Sequence, residues 1–356
     1  MFIAYFCGWM WFVVVGDQIR DWPVFTTDFT VFYTAARSPL NIVYDVQALT
    51  RAQAWAGQNG LQPRPFPYPP TFLFLLWPFG KLAIGPALLS WIALGLGLYC
   101  TATWKLIGRA WPLVLLSPTA AMVAITGQVT FLMGAALMAG VMLLKDRPLL
   151  AGVVFGLAAT IKPQVVVLVP FALAFAGQWR ALSAAVATGG LVGAISLAVH
   201  QGAWLEWIGS LAGFNEIVAN EAGVRAMSAT PTGFLLKHGV ENVAVVGVVQ
   251  VVSTAFALAL TYRAFRRDNT VERYGALAIG YLLISPYALW YELALLQPVA
   301  IVALMDKRWT HRVAGLLGFT LLPRVLGVLA LGLVSLFDKS ATRPSRAAAL
   351  TAAAAR

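Results

Sequence analysis

Four apolar runs, residues 86–104, 181–199, 242–262 and 313–337, constrain this chain more than any other feature. Each approaches the roughly 17–25 residues that a helix needs to cross a bilayer core of about 30 Å. Lipid offers no water to peptide groups, so a crossing segment must be a helix or a strand of a closed barrel; barrel strands alternate in polarity and these runs do not. Composition agrees, with 60% hydrophobic and 11% charged residues among 356 and a mean hydropathy of +0.77, far from soluble domains. The fold class that follows is all-α, a polytopic membrane helical bundle.

The formal charge of +11 raises nucleic acid as a partner, but the Lys and Arg residues stand singly or in small clusters between apolar runs. That is the positive-inside pattern, which removes nucleic acid and leaves membrane lipid as the surroundings. Clusters at Lys105 and Arg109, Lys145 and Arg147, Arg180, Arg263 with Arg266, Arg267 and Arg273, and Lys307 with Arg308 and Arg312 are expected on the cytoplasmic side of a cell inner (plasma) membrane. The turns Thr126-Gly127-Gln128, Lys162-Pro163 and Ser285-Pro286-Tyr287 then face outward, together with a first polar loop, 17–70, and a second, 200–230. This parity gives roughly eleven full spans plus interfacial helices in the first outer loop. Residues 71–82 are too short to cross and read as a half-span opened by Pro69-Pro70, where a missing N–H costs little.

Residues 1–338 form a single expected domain, followed by an Ala-rich basic tail, 339–356, expected to be disordered. The first sixteen residues lack a basic leader and a cleavage site, which favours an uncleaved first span. Cys7 and Cys100 lie in apolar runs, so neither a disulfide framework nor a metal site is supported. His200, His238 and His311 lack metal-ligand spacing, and no cofactor is indicated.

The outer face collects the unusual residues. Asp28 sits among Phe29, Val31 and Phe32, and a carboxylate near apolar surface is a candidate general base because burial raises its pKa. Thr27 or Asp28 ahead of an apolar run also suits a helix N-cap, and the sequence leaves both roles open. Asp45, after Tyr44, favours capping. Lys162, an ammonium in hydrophobic sequence, marks a phosphate-binding candidate against the alternative of snorkelling. Arg64, near Phe66-Pro67-Tyr68-Pro69-Pro70, is a second. Gln128 offers an amide to a hydroxylated ligand. Tyr287, Trp290 and Tyr291 suit a sugar-stacking wall or an interfacial belt, and Glu292 lies in an apolar run where an unpaired carboxylate is costly.

In this order the motifs resemble glycosyltransferase family 87, of the GT-C class of integral-membrane transferases. The matching residues are Asp28-Phe29 with Phe32-Tyr33 and Ala35-Ala36, Tyr44-Asp45, Tyr68-Pro69-Pro70 with Pro78, Gly127-Gln128, Ala151-Gly152 through Gly156-Leu157-Ala158 to Lys162-Pro163, and Ser285-Pro286-Tyr287. The resemblance implies a GT-C-like fold, a polyprenyl-phosphate sugar donor, most often of mannose, a glycolipid or glycan acceptor, and an outer-face active site whose acid is Asp28 by position. Tyr33, Asp45, Tyr68, Gln128, Tyr287 and Glu292 would then contact substrate, and Lys162 and Arg64 the donor phosphate. The resemblance, with the lack of clustered carboxylates, argues against an obligatory metal. After Ser285-Pro286 the chain reads Tyr287-Ala288-Leu289-Trp290-Tyr291-Glu292, where family members with a histidine-bearing motif have no counterpart. A transporter or lipid flippase would share the many spans and the intramembrane Lys and Glu. The long loop 17–70 with its carboxylate and aromatics favours an enzyme.

Overall fold

A computed structural model of the chain describes residues 27–56, 64–220, 222–320 and 324–338. The expected first span and the expected C-terminal tail lie outside the described residues. Within them the protein is helical, and the only β pairing is an isolated antiparallel bridge between Ser228 and Leu289.

Among the described residues three helices are both long and apolar enough to cross a membrane: the segment Ile84–Leu116, then Trp179–Val199 and Val243–Phe265. They coincide with three of the four long apolar runs. A fourth crossing is counted if Pro118–Thr126 and Thr130–Leu143, bent by 120° at their junction, are taken together. The expectation of eleven spans is therefore corrected among the described residues. Hydropathy reads through breaks that the backbone does not. Pro148–Ala159 is 12 residues, and a helix rising 1.5 Å per residue covers only about 18 Å in that length. The run after Lys162 starts as a 3-10 turn, Pro163–Val166, before Val169–Phe175, and Trp290–Leu296 is 3-10 before Gln297–Leu304. The anticipated run 313–337 is divided between Trp309–Phe319 and Arg324–Phe337.

Such breaks leave backbone carbonyls unpaired by their own helix, and in apolar surroundings each needs another donor. Buried tyrosines supply it at the 3-10 segment Trp290–Leu296: the Tyr99 hydroxyl donates to the Ala294 carbonyl at 2.5 Å and that of Tyr274 to Leu295 at 2.6 Å. Elsewhere small residues bring backbones together. A Cβ added at Gly152 would lie 2.2 Å from the Ala181 carbonyl oxygen, and one at Gly156 would lie 2.6 Å from that of Ala185. Pro148–Ala159 thus packs directly on the backbone of Trp179–Val199, the close approach that small residues permit between helices in lipid.

The short stretch 71–82 contains the nine-residue helix Phe72–Gly80, too short to cross. The loop ahead of it holds the helices Thr27–Arg37, Leu40–Val43 and Val46–Ala52, and the second polar stretch is helical over Ala203–Asn220 and Ala222–Met227.

Chain direction segregates charge. Thr130–Leu143 runs from Gln128 to Lys145, Pro148–Ala159 from Arg147 to Lys162, and Thr270–Ile284 from the Arg273 end to Ser285. Lys145 and Arg273 share Asp268, at 3.4 and 3.7 Å. Asp338 accepts from Arg308 at 2.6 Å through its carboxylate and from Arg263 through its carbonyl. Asp306 beside Arg308 is held down to a pKa of about 2, chiefly by the hydrogen bond from that guanidinium. Three basic clusters thus gather at one end of these helices, and Gln128, Lys162 and Ser285 lie at the other.

Candidate functional site

The aromatic residues of the first loop build the floor of the site. Phe32 meets Tyr68 at 5.2 Å, Phe72 at 5.4 Å and Trp91 at 5.9 Å between ring centroids, all edge-on, the arrangement that ring quadrupoles favour. Trp91 donates through Nε1 to the Gly127 carbonyl at 2.8 Å. Gly127 has φ of 65°, a left-handed conformation that ends Pro118–Thr126, and a Cβ there would lie 2.6 Å from that of Phe29. Phe29 therefore seats against Gly127, which brings its neighbour Asp28 beside Gln128.

Asp28 lies in the first turn of Thr27–Arg37, where the helix dipole favours negative charge. Its carboxylate is hydrogen-bonded by the Gln128 side chain. Gln128 is a hub: its Nε2 donates to the Tyr291 hydroxyl at 3.0 Å, and its Oε1 accepts from the Tyr68 hydroxyl at 3.2 Å. Asp28 is half-buried by its own surface, yet protein surrounds it closely enough for desolvation to raise its pKa. The Gln128 hydrogen bond and the charges of Arg64 and Lys162 act in the opposite direction.

Lys162 follows the end of Pro148–Ala159, its N–H donating to the Ala158 carbonyl at 3.1 Å. Thr71 donates to the Thr160 carbonyl at 2.5 Å, tying the Tyr68-Pro69-Pro70 turn to this helix end. The Lys162 ammonium lies 5.9 Å from the Tyr68 ring centre and is ion-paired with Glu292. Only 6% of Lys162 and 3% of Glu292 is exposed. The second Glu292 oxygen accepts from the Tyr281 hydroxyl at 2.5 Å.

The Ser285-Pro286-Tyr287 turn closes another side. Thr230 and Thr232 donate to the Pro286 carbonyl at 3.2 and 2.8 Å, and the Tyr287 ring meets Phe214 at 5.4 Å. Burial first holds the phenols of Tyr68 and Tyr287 above their ordinary pKa; Asp28 and Glu292 add to it at Tyr68, while at Tyr287 Lys162 opposes it and Glu292 adds to it. Both remain protonated donors at neutral pH.

Of the residues singled out in the sequence, Asp28, Tyr68, Gln128, Lys162 and Glu292 come together through these contacts, and charge couples Arg64 to Asp28 and Tyr287 to Lys162 and Glu292. Two do not. Asp45 accepts from the N–H groups of Gln47 and Ala48 at 2.9 Å each, so its carboxylate caps Val46–Ala52 rather than facing the cluster. Tyr33 donates to the Leu82 carbonyl at 2.8 Å and receives Arg37 at 3.2 Å, tying the helix Thr27–Arg37 to the end of Phe72–Gly80. Sequence reasoning missed Tyr281, whose lone hydroxyl within the apolar run 276–284 was the available signal. It also missed Trp207, which donates to the Pro67 carbonyl at 3.2 Å. Among the described residues no three His, Cys, Asp or Glu side chains gather as metal ligands.

The helices and the buried polar cluster define a membrane protein with a built site. Residues 66–286, more than half of the chain, match the sequence profile of Glycosyltransferase family 87, and the chain belongs to that family. It is a glycosyltransferase, and so takes a sugar from a donor to an acceptor. The matched region contains Tyr68, Gln128 and Lys162; Asp28 and Arg64 precede it and Tyr287 and Glu292 follow it. Neither the curated proteins nor the solved structures contain a match to the chain.

Proposed function

We propose that this glycosyltransferase has a GT-C-like fold and transfers a hexose, mannose in our reading, from a polyprenyl-phosphate donor to a hydroxyl of an envelope glycolipid or glycan. The reaction inverts the anomeric centre and takes place at the outer face of the inner membrane. The observation that supports this reading is the nearness of the Asp28 carboxylate to two cations, Arg64 and the Glu292-paired Lys162, in a cluster otherwise lined by protonated phenols and an amide. The gathering of basic clusters at the opposite helix ends supports the orientation.

In the proposed step, Asp28 takes the proton of the acceptor hydroxyl as its oxygen attacks the anomeric carbon from the face opposite the phosphate. The bond from that carbon to the phosphate oxygen breaks, and the electron pair leaves with the polyprenyl phosphate. Charge grows on the departing oxygen, and Lys162 and Arg64 stabilise it. Gln128, held by Tyr68 and Tyr291, keeps the Asp28 carboxylate aimed. Tyr68, Tyr287 and Glu292 contact the sugar.

Incubating the purified protein with labelled polyprenyl-phosphate mannose and crude envelope lipids is expected to yield a labelled glycolipid or glycan. If label passes only from another polyprenyl-phosphate sugar, the mannose assignment fails; if it passes from none, the donor class fails.

The pH dependence follows from the same geometry. Burial raises the pKa of the Asp28 acid above its ordinary 3.8, so the base form is reached at higher pH than for a free carboxylate. The acid limb of kcat/KM is expected to have its midpoint above that value. Lys162 favours the ionised form, so Lys162→Gln should move the limb to still higher pH. A limb that stays in place in the variant would show that the two groups do not communicate.

A further inference from the structure

We propose that Glu292 expels the spent lipid phosphate by recapturing Lys162 after each transfer. This rests on Lys162 being the phosphate-binding cation of the proposed function.

The ammonium of Lys162 is already matched by a carboxylate in this structure, and both partners are almost wholly buried. Glu292 is anchored from behind, its second oxygen held by the Tyr281 hydroxyl at 2.5 Å. A phosphate can reach Lys162 only in competition with a tethered anion.

The chemistry of the two lipids gives that competition a direction. A polyprenyl-phosphate sugar is a phosphodiester with a single negative charge. The polyprenyl phosphate left after transfer is a monoester, and such a group carries about −1.5 to −2 at pH 7. A bare cationic site would therefore hold product more tightly than substrate, and product release would limit turnover.

Glu292 reverses this preference. When donor enters, its phosphate takes Lys162, and the sugar hydroxyls can donate to the carboxylate that Lys162 has given up. Both halves of the opened ion pair then have partners. The product has no sugar, so it compensates Lys162 alone and leaves Glu292 with only Tyr281. Closing the pair again is favourable with product bound and unfavourable with donor bound. No covalent bond to the protein is required. Glu292 thus meets the sugar while donor is bound and acts through Lys162 once the sugar has left.

The test is calorimetric binding of farnesyl phosphate, a short-chain lipid monophosphate, to the purified full-length protein and three variants. Wild type should bind it, and Lys162→Gln should weaken binding. Glu292→Gln should bind farnesyl phosphate at least about tenfold more tightly than wild type, since a competing charge has been removed from a buried pair. Glu292→Asp keeps the charge but withdraws it by one methylene, and should tighten binding by a smaller factor. Unchanged or weaker binding in Glu292→Gln overturns the proposal; should that variant fail to fold, unchanged or weaker binding in Glu292→Asp does so. If wild type fails to bind the probe, or Lys162→Gln binds it equally well, the phosphate role of Lys162 falls and the expulsion role with it. Lys162-dependent binding that Glu292 substitutions do not tighten removes the expulsion role alone.

Discussion

Replacing Asp28 with asparagine is expected to lower kcat by roughly 10²–10⁴-fold while leaving the protein folded, the loss associated with removing a general base. Asparagine has nearly the same shape, and its side-chain carbonyl can still accept the hydrogen bond from Gln128 that Asp28 accepts. The aromatic floor below is untouched, because Phe29 and Phe32 anchor the helix through Gly127, Tyr68 and Trp91. What disappears is basicity, together with one negative charge near Arg64 and Lys162. Losing that charge removes repulsion toward an incoming phosphate, so KM for the donor should not rise. The result therefore has a signature, a fall in kcat with donor binding retained, that a merely misfolded protein would not show. Steady-state kinetics with polyprenyl-phosphate donor, alongside thermal unfolding of the same preparation, measures both. Wild-type kcat in a folded Asp28→Asn protein would remove Asp28 from the reaction.

Gly152→Leu should destabilise the protein far more than Asp28→Asn, which keeps the shape of the side chain it replaces. Its Cβ alone would lie 2.2 Å from the Ala181 carbonyl oxygen and 2.7 Å from the Ala184 Cβ, so the two helices must part to admit any side chain. Overpacking a filled interface costs about 1–3 kcal/mol and sometimes more, and a clash against backbone leaves little room to relax, so about 3 kcal/mol or more is expected. The same helix ends one turn before Lys162, and its displacement should carry the ammonium away from Glu292 and lower turnover as well. Gly193→Leu is the control: it lies on the partner helix Trp179–Val199, but its Cβ would meet nothing within 4 Å. Thermal unfolding in one detergent should show a large fall for Gly152→Leu and little change for Gly193→Leu. Equal melting temperatures for wild type and Gly152→Leu would contradict the close approach of these helices.

Much of the candidate site was legible residue by residue. Lys162 and Glu292 stood out because an ionised group in an apolar run is costly, and that cost is local in sequence. Gln128 stood out because it follows a glycine at a turn. Their mutual pairing was not legible: Lys162 and Glu292 are 130 positions apart, and nothing near either one identifies the other. Tyr281 was overlooked for the same reason, since a tyrosine in an apolar helix has many uses until its partner is known. Asp45 was legible as a helix cap from its own neighbours, while the family-like motifs suggested substrate contacts for both Asp45 and Tyr33. Their oxygens are instead engaged by helix N–H groups and by the Leu82 carbonyl with Arg37.

Hydropathy alone established an all-helical membrane protein, because apolar mass and the need to pair every peptide group in lipid are additive along the chain and leave few alternatives. The three longest crossings among the described residues were visible on that basis. The number of full crossings was not, since a proline, a 3-10 turn or a left-handed glycine interrupts a helix without making it less apolar. Whether such a break is tolerated depends on donors from elsewhere, as with Tyr99 and Tyr274 at the carbonyls of Ala294 and Leu295. The same holds for chemistry: residue type nominated the carboxylate and the cations, while their grouping around Gln128 and the prior claim of Glu292 on Lys162 came from helix packing, which joins positions that sequence keeps far apart.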